Sequence, residues 1–284
     1  MAFNAAPADH AIAGRHGLIL SSGLRMDSTS KMRIGVLGCG NIAGTIASRG
    51  GGVAEIAACY DKQTGRTERY AKRTGAKPYS DIGSFLEADY PLLVEAASAG
   101  AVREHLHNAL SRGKDVVVLS VGALVDASFL GSAREIAVAK GCRIHIPSGA
   151  VFGLDNIKVA RISRFDRLLL RSTKPPRALG ISDCPTRTCV FRGPASEAVR
   201  RYPRNINVSA ALALAAGMEP KVEIWADPAV SSNRHEIEAE GEFGKVAITT
   251  DNVPSQDNPA TSYLAALSVL TLLRDLADPV TVGT

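Results

Sequence analysis

The stretch Met32-Arg33-Ile34-Gly35-Val36-Leu37-Gly38-Cys39-Gly40-Asn41-Ile42-Ala43-Gly44 decides the fold. An apolar run of strand character enters two glycines one residue apart, and a helical pattern begins directly after them. Gly38 permits a tight reversal. Gly40 carries no Cβ and permits backbone to come close to a phosphate. The small Ala43 lets the new helix pack close to the strand. The helix start directs free N–H groups and the positive end of a dipole at whatever lies over the turn. Gly38, Gly40, Asn41 and Ile42 are therefore candidate contacts for a dinucleotide. A turn of this kind is also an ordinary structural element, so the reading leans on its surroundings. The next apolar run, residues 53–60, ends in Asp61, near the spacing at which a carboxylate meets the hydroxyls of an adenosine ribose.

Working outward, the alternation is regular. Helices are expected over 41–49, 64–74, 101–112 and 126–140, the second and last stopped by Gly75 and Gly141. Between them lie short apolar runs: Leu92-Leu93-Val94-Glu95-Ala96-Ala97, then Val116-Val117-Val118-Leu119, then residues 143–146. Short apolar strands alternating with helices imply a parallel sheet covered on both faces. This unit spans 32–147. Ligands of such sheets lie beyond the C-terminal strand ends. Those ends here are small-residue turns at 38–40, 97–100, 120–123 and 147–150, which together outline a groove and add Ala97 and Ser98 to the cofactor candidates.

The second half changes character. Helices are expected over 154–163, 195–200 and 209–216, and strands over 168–172, 188–191, 221–227, 236–240 and 245–250. These strands lack regular helical crossovers. Residues 148–252 therefore read as an α+β domain on a mixed or antiparallel sheet, the half expected to hold substrate. The apolar segment 262–276, within a closing unit 253–284, reads as a helix that packs back on the first domain. Residues 1–31 have no sustained period and no apolar core long enough for a secretory signal. They read as a disordered extension, or as an over-long start with Met26 or Met32 as the true one.

The 284 residues suffice for two ordinary domains, and 45% hydrophobic with 21% charged residues is the composition of a globular protein. No run approaches the eighteen apolar residues of a membrane span. The net charge of +5 is spread along the chain and aromatics are few. This favours anionic small molecules and argues against nucleic acid. The five cysteines are odd in number and form no Cys-x-x-Cys pair. Cys184 and Cys189 are near enough for a local disulfide, but a reduced, cytoplasmic setting is the simpler reading. No metal-ligand spacing occurs, and His105 and His107 do not share a helix face.

A dinucleotide domain joined to an α+β domain suggests hydride transfer, with substrate in the cleft between them. His235, in Asn233-Arg234-His235-Glu236 at the mouth of a strand, is the best proton carrier, because imidazole titrates near working pH with little tuning. A surface loop histidine is the competing reading. Lys174 precedes two prolines and suits a carboxylate. Asn207 is placed to cap a helix or to bond a carboxamide or carboxylate, and Asn205 offers the same amide. Ser148 resembles a small anion-binding helix start.

The blocks Ser120-Val121-Gly122-Ala123-Leu124, Pro147-Ser148-Gly149-Ala150, Gly153-Leu154-Asp155, Thr173-Lys174-Pro175-Pro176, Asn205-Ile206-Asn207-Val208, Ala226-Asp227-Pro228, Asn233-Arg234-His235-Glu236-Ile237 and Asn258-Pro259-Ala260-Thr261-Ser262 stand in order along the chain. Together they resemble the L-aspartate dehydrogenase family over residues 33–276. The resemblance implies a Rossmann domain, a second α/β domain, a homodimer, and oxidation of L-aspartate by NAD or NADP. It places the catalytic histidine on His235 and cofactor contacts on Ala123 and Asn205. The product iminosuccinate would be hydrolysed to oxaloacetate and ammonia, or would feed quinolinate and hence NAD synthesis. Lys174, Asn207, Asn233 and Ser148 are the candidates to bind the dicarboxylate. Asp61 favours NAD, while Lys62 and Arg66 leave NADP tolerated. Two other readings stand beside this one. The first is a related two-domain reductase of another amino or imino acid, such as a dihydrodipicolinate- or homoserine-type substrate. The second is a nucleotide-binding sensor without turnover.

Overall fold

The computed structural model describes residues 31–202, 207–255 and 258–283. The expected extension lies outside these residues except for Lys31, and so does Asn205. The first half builds β1 (Met32–Leu37), α1 (Asn41–Arg49), β2 (Ala54–Tyr60), α2 (Thr64–Thr74), β3 (Lys77–Pro78), α3 (Ile82–Glu87), β4 (Leu92–Glu95), α4 (Ala99–Ser111), β5 (Asp115–Val118), α5 (Ala127–Lys140) and β6 (Ile144–His145). The strands form one six-stranded parallel sheet in the order β3-β2-β1-β4-β5-β6. Helices cover both of its faces, so β4 and β5 are buried along their whole length, which is why their sequences are nearly continuous apolar runs. Local capping sets the helix starts: Ser98 accepts the Ala101 N–H at 3.2 Å, and Asp126 accepts those of Ser128 and Phe129. The strand order reverses between β1 and β4, which opens a crevice at their C-terminal ends. The pair β3 and α3 was not expected, because two and six residues are too short to show a period.

The second half adds α6 (Leu154–Ile157), β7 (Phe165–Lys174), β8 (Thr188–Pro194), α7 (Ala195–Arg201), α8 (Asn207–Ala216), β9 (Lys221–Ala226), β10 (Arg234–Gly241) and β11 (Gly244–Asp251). Its five strands run β11-β10-β7-β9-β8, with β7 and β9 parallel and the other pairs antiparallel, so the sheet is mixed. Period-two alternation sorts its two faces. Leu168, Leu170, Val222, Ile224, Ile237 and Ala239 pack with Ile157, Ala198 and Leu212 from the helices. The opposite face carries Arg171, which reaches Glu223 at 3.1 Å and Glu238 at 3.3 Å, and Trp225, whose indole N–H donates to Glu223 at 3.0 Å.

The chain closes with β12 (Pro254–Ser255), β13 (Asn258–Ser262) and α9 (Tyr263–Ala277). Val269 and Leu273 of α9 are fully buried against Met32, Ile34, Ala43 and Ile46 of the first sheet and α1. The Arg49 guanidinium lies 5.7 Å from the Tyr263 ring centre and secures the same contact. The α9 start is thereby held at the crevice.

Candidate active site

At the glycine turn, Gly38 has φ of +94°, and a Cβ there would lie 2.7 Å from the Ala96 carbonyl oxygen. Only glycine satisfies both conditions. Gly40 faces open space, with nothing within 4 Å of where a Cβ would stand. No side chain caps α1, so its first N–H groups are left for a ligand. The Asp61 carboxylate accepts the Cys39 N–H at 2.9 Å and the Gln63 N–H at 2.8 Å, which fixes it beside the turn. Asn41 donates to Ser255 at 2.8 Å and joins the turn to β12. This open, amide-lined cradle with a carboxylate at its side fits the pyrophosphate and ribose of a dinucleotide.

Next to the cradle, a cleft of about 250 Å³ opens between the two sheets. One wall is made of the turns after β4 (Ala96, Ala97), β5 (Leu119, Ser120, Val121) and β6 (Pro147 to Ala150), together with Ile42 of α1. The other carries Lys174 and His235 from the mixed sheet and Asn233 just before β10, with Asn207 and Val208 from the start of α8 and Thr261 and Ser262 from the end of β13. Hydrogen bonds hold these walls in place. Asn207 Oδ1 accepts the Gly122 N–H at 3.2 Å, Asn252 donates to the Ala150 carbonyl at 3.0 Å, and Ser262 donates to Asn252.

Sheet register places the polar side chains together. His235 pairs with Ser172 of β7 on one side and with Thr250 of β11 on the other. Lys174 lies two residues beyond Ser172 and so projects from the same face. The Ser172 hydroxyl is 2.9 Å from His235 Nδ1, which fixes the ring plane and leaves Nε2 for other partners. His235 is 3% exposed and Lys174 5%. Burial, and secondarily the Lys174 charge, push the His235 pKa down to about 3. Burial alone pushes Lys174 down to about 8. The pair is thus a neutral imidazole beside a cation at neutral pH, able to accept a proton and to attract a carboxylate.

Of the residues singled out from sequence, Ile42, Ala97, Ser148, Lys174, Asn207, Asn233 and His235 line this one cleft. Gly38, Gly40, Asn41 and Asp61 form the adjoining cradle. Ser98 is exposed and engaged in capping α4. Ala123 is fully buried in the core of the first sheet, behind the turn that Ser120 and Val121 present. Sequence reasoning did not single out Ser172, Thr250, Thr261 or Glu95. Ser172 had one readable signal, its i, i+2 relation to Lys174 on a strand. Glu95 had another, an acidic residue closing an apolar run.

Comparison with known proteins gives the family of both halves. Residues 38–147 match the family described as homoserine dehydrogenase, NAD binding domain, and residues 155–276 match aspartate dehydrogenase, C-terminal. The crystal structure of aspartate dehydrogenase from Thermotoga maritima superposes with a TM-score of 0.76 at 27% identity, covering 89% of this chain and 100% of that one. GenD2 from gentamicin A biosynthesis, solved in complex with NAD, shares the fold at a TM-score of 0.53 and 12% identity, over 91% of this chain and 90% of that one. Fold and site together define a two-domain pyridine-nucleotide-dependent dehydrogenase. The L-aspartate dehydrogenase of Methanospirillum hungatei is 49% identical over 89% of this chain and 99% of its own length. That of Methanothermobacter thermautotrophicus is 42% identical over the same 89% of this chain and 99% of its own length. The chain belongs to the L-aspartate dehydrogenase family.

Proposed function

We propose that this protein catalyses the NAD(P)-dependent oxidative deamination of L-aspartate, through iminosuccinate, to oxaloacetate and ammonia. The observation that carries the reading is the convergence of Lys174 and His235, both buried, on one face of the mixed sheet and opposite the turns of the parallel sheet. The dinucleotide, when bound, supplies the two-electron acceptor for the substrate Cα–H. Lys174, with Asn207, Asn233 and Ser148, binds the two carboxylates and orients Cα. A carboxylate paired with Lys174 offsets the charge that depresses His235, so the imidazole becomes more basic once substrate is in place. His235 then takes a proton from the water that adds to the imine carbon and returns one to nitrogen, so that ammonia leaves and the carbonyl forms. Ser172 holds the ring in position for both transfers.

Asp61, anchored by two backbone amides, favours the ribose diol of NAD, and the exposed Lys62 and Arg66 leave NADP tolerated. Gly38, Gly40, Asn41 and Ile42 serve the pyrophosphate, Ala97 and Ser98 the β4 end of the groove, and Ala123 and Asn205 are taken as cofactor contacts on the resemblance. The division into 32–147, 148–252 and a closing unit 253–284 is supported by the core of the second half, built almost wholly from residues 151–239, while α9 of the closing unit packs into the core of the first sheet. A homodimer is proposed on the family resemblance. A cytoplasmic setting is supported by the free thiols of Cys39, Cys59, Cys142, Cys184 and Cys189. Among the described residues no helix is long and apolar enough to cross a membrane. The test is NADH and NADPH formation with L-aspartate against homoserine, glutamate and alanine. Turnover of aspartate no faster than of the others overturns the substrate assignment.

A further inference from the structure

Glu95 closes β4 with 1% of its surface exposed, at the end of a strand that is otherwise Leu92-Leu93-Val94. Burial drives the carboxyl toward its neutral form, and hydrogen bonds from its neighbours oppose this. Three of those bonds come from backbone amides and one from a side-chain hydroxyl. Oε1 accepts the Ala97 N–H at 2.8 Å and the Ser120 hydroxyl at 2.8 Å, and Oε2 accepts the Ser120 N–H at 2.9 Å and the Leu119 N–H at 3.1 Å. An acidic residue in an apolar core is costly, and here its bonding capacity is spent on the two turns that follow β4 and β5, through three backbone amides and the Ser120 hydroxyl. Ala97, Leu119 and Ser120 all line the cleft, whereas among the described residues the Glu95 carboxylate makes no hydrogen bond to the glycine turn or to Asp61.

The strand order separates the two halves of the groove. β2 and β1 carry Asp61 and the glycine turn, while β4 and β5 carry the turns tied by Glu95. On the dinucleotide reading above, the adenosine half lies at the former and the nicotinamide half at the latter. We propose that Glu95 is a positioning residue for the nicotinamide half of the cofactor, pinning the β4 and β5 turns into one rigid platform beneath the ring. The bonding pattern explains why the residue is a carboxylate. Glutamine would turn an amide NH2 toward backbone N–H donors on one side or the other, and the turn on that side would be released. Aspartate, one methylene shorter, cannot span both turns.

The test compares two ligands by calorimetry on the full chain. NADH reaches both halves of the groove, whereas ADP-ribose carries the adenosine and pyrophosphate but no nicotinamide. In Glu95→Gln the affinity for NADH falls ten-fold or more, while that for ADP-ribose stays within two-fold of wild type. Equal losses for both ligands would make Glu95 a general structural residue, and an unchanged NADH affinity would leave it no role, so either overturns the proposal. Should the glutamine variant not fold, Ser120→Ala removes one of the four bonds and gives a smaller selective loss of a few-fold. An unselective or absent effect in that variant overturns the proposal too. A wild-type protein that binds neither ligand overturns this proposal along with the dinucleotide reading. Normal NADH binding without aspartate turnover overturns only the substrate assignment.

Discussion

Lys174→Met removes a charge and keeps nearly the same volume of side chain. A lysine pKa of about 8, against an ordinary 10.5, corresponds to about 3 kcal/mol of penalty on the charged form in the folded protein. At pH 7 the wild-type lysine is still charged and the protein bears that penalty. Methionine relieves it and loses what the ammonium bonded, at about 1.5–3 kcal/mol for one hydrogen bond from a charged donor. The variant is therefore expected to be at least as stable as wild type, by up to about 1.5 kcal/mol, a rise in Tm of up to about 6 °C for a chain of this size. Ligand binding moves the other way. A hydrogen bond from a charged donor to a carboxylate contributes about 1.5–3 kcal/mol, so dicarboxylate affinity falls about 10- to 150-fold. Succinate is the suitable probe, since it has no amino group to titrate and stays doubly ionised at neutral and alkaline pH. In wild type its inhibition constant weakens above about pH 8 as Lys174 loses its proton, and in the variant it is weak and flat with pH. Calorimetric unfolding with succinate inhibition from pH 6.5 to 9.5 reads both effects. A variant that binds succinate as well as wild type, or that melts lower, refutes the assignment of a buried, substrate-facing charge.

His235→Asn should lower aspartate turnover by about 100-fold or more with NADH affinity unchanged, measured by steady-state rates and fluorescence titration. The same variant tests a linkage. The folded protein keeps His235 neutral down to about pH 3, while the unfolded chain takes up its proton near 6.5. The unfolded state binds more protons across that window, so the contribution is fully present above pH 6.5 and lost as pH falls toward 3. It amounts to several kcal/mol, and urea unfolding of the asparagine variant should show a flatter fall in stability from pH 6.5 to 4. An unaltered slope would mean that the ring is protonated in the fold. Asp61→Ser should cut kcat/KM for NAD by about ten-fold or more and raise that for NADP, since the carboxylate that bonds a ribose diol also repels a 2′-phosphate. Unchanged cofactor preference would remove Asp61 from that role.

The parallel sheet was legible because its signals are local. Strand, glycine turn and helix follow one another within thirteen residues, and the buried strands are recognisable as unbroken apolar runs. The mixed sheet was legible in outline only. Alternation at 236–240 marks a strand with two unlike faces, but nothing in it says that β7 sits at the centre of the sheet, parallel to β9 and antiparallel to β10. Lys174 and His235 could be nominated because each is a reactive residue type at the end of a predicted strand. Ser172 escaped notice because a serine inside a strand is unremarkable until its register partner is known.

Local sequence specified most of the elements, the place of the open glycine turn and the residue types available for proton transfer, since these depend on neighbours a few positions apart. Tertiary structure alone decided that Ser172 stands at His235 Nδ1, sixty-three residues away, and that Lys174 shares its face. It also decided that His235 is neutral. An imidazole titrates near 6.5 in water and near 3 here because strand pairing buries it beside a cation, and both the burial and the neighbour come from segments distant in the chain. The same holds for Glu95: its place at the end of an apolar strand was visible from the start, but the two turns it joins meet only when β4 and β5 lie side by side.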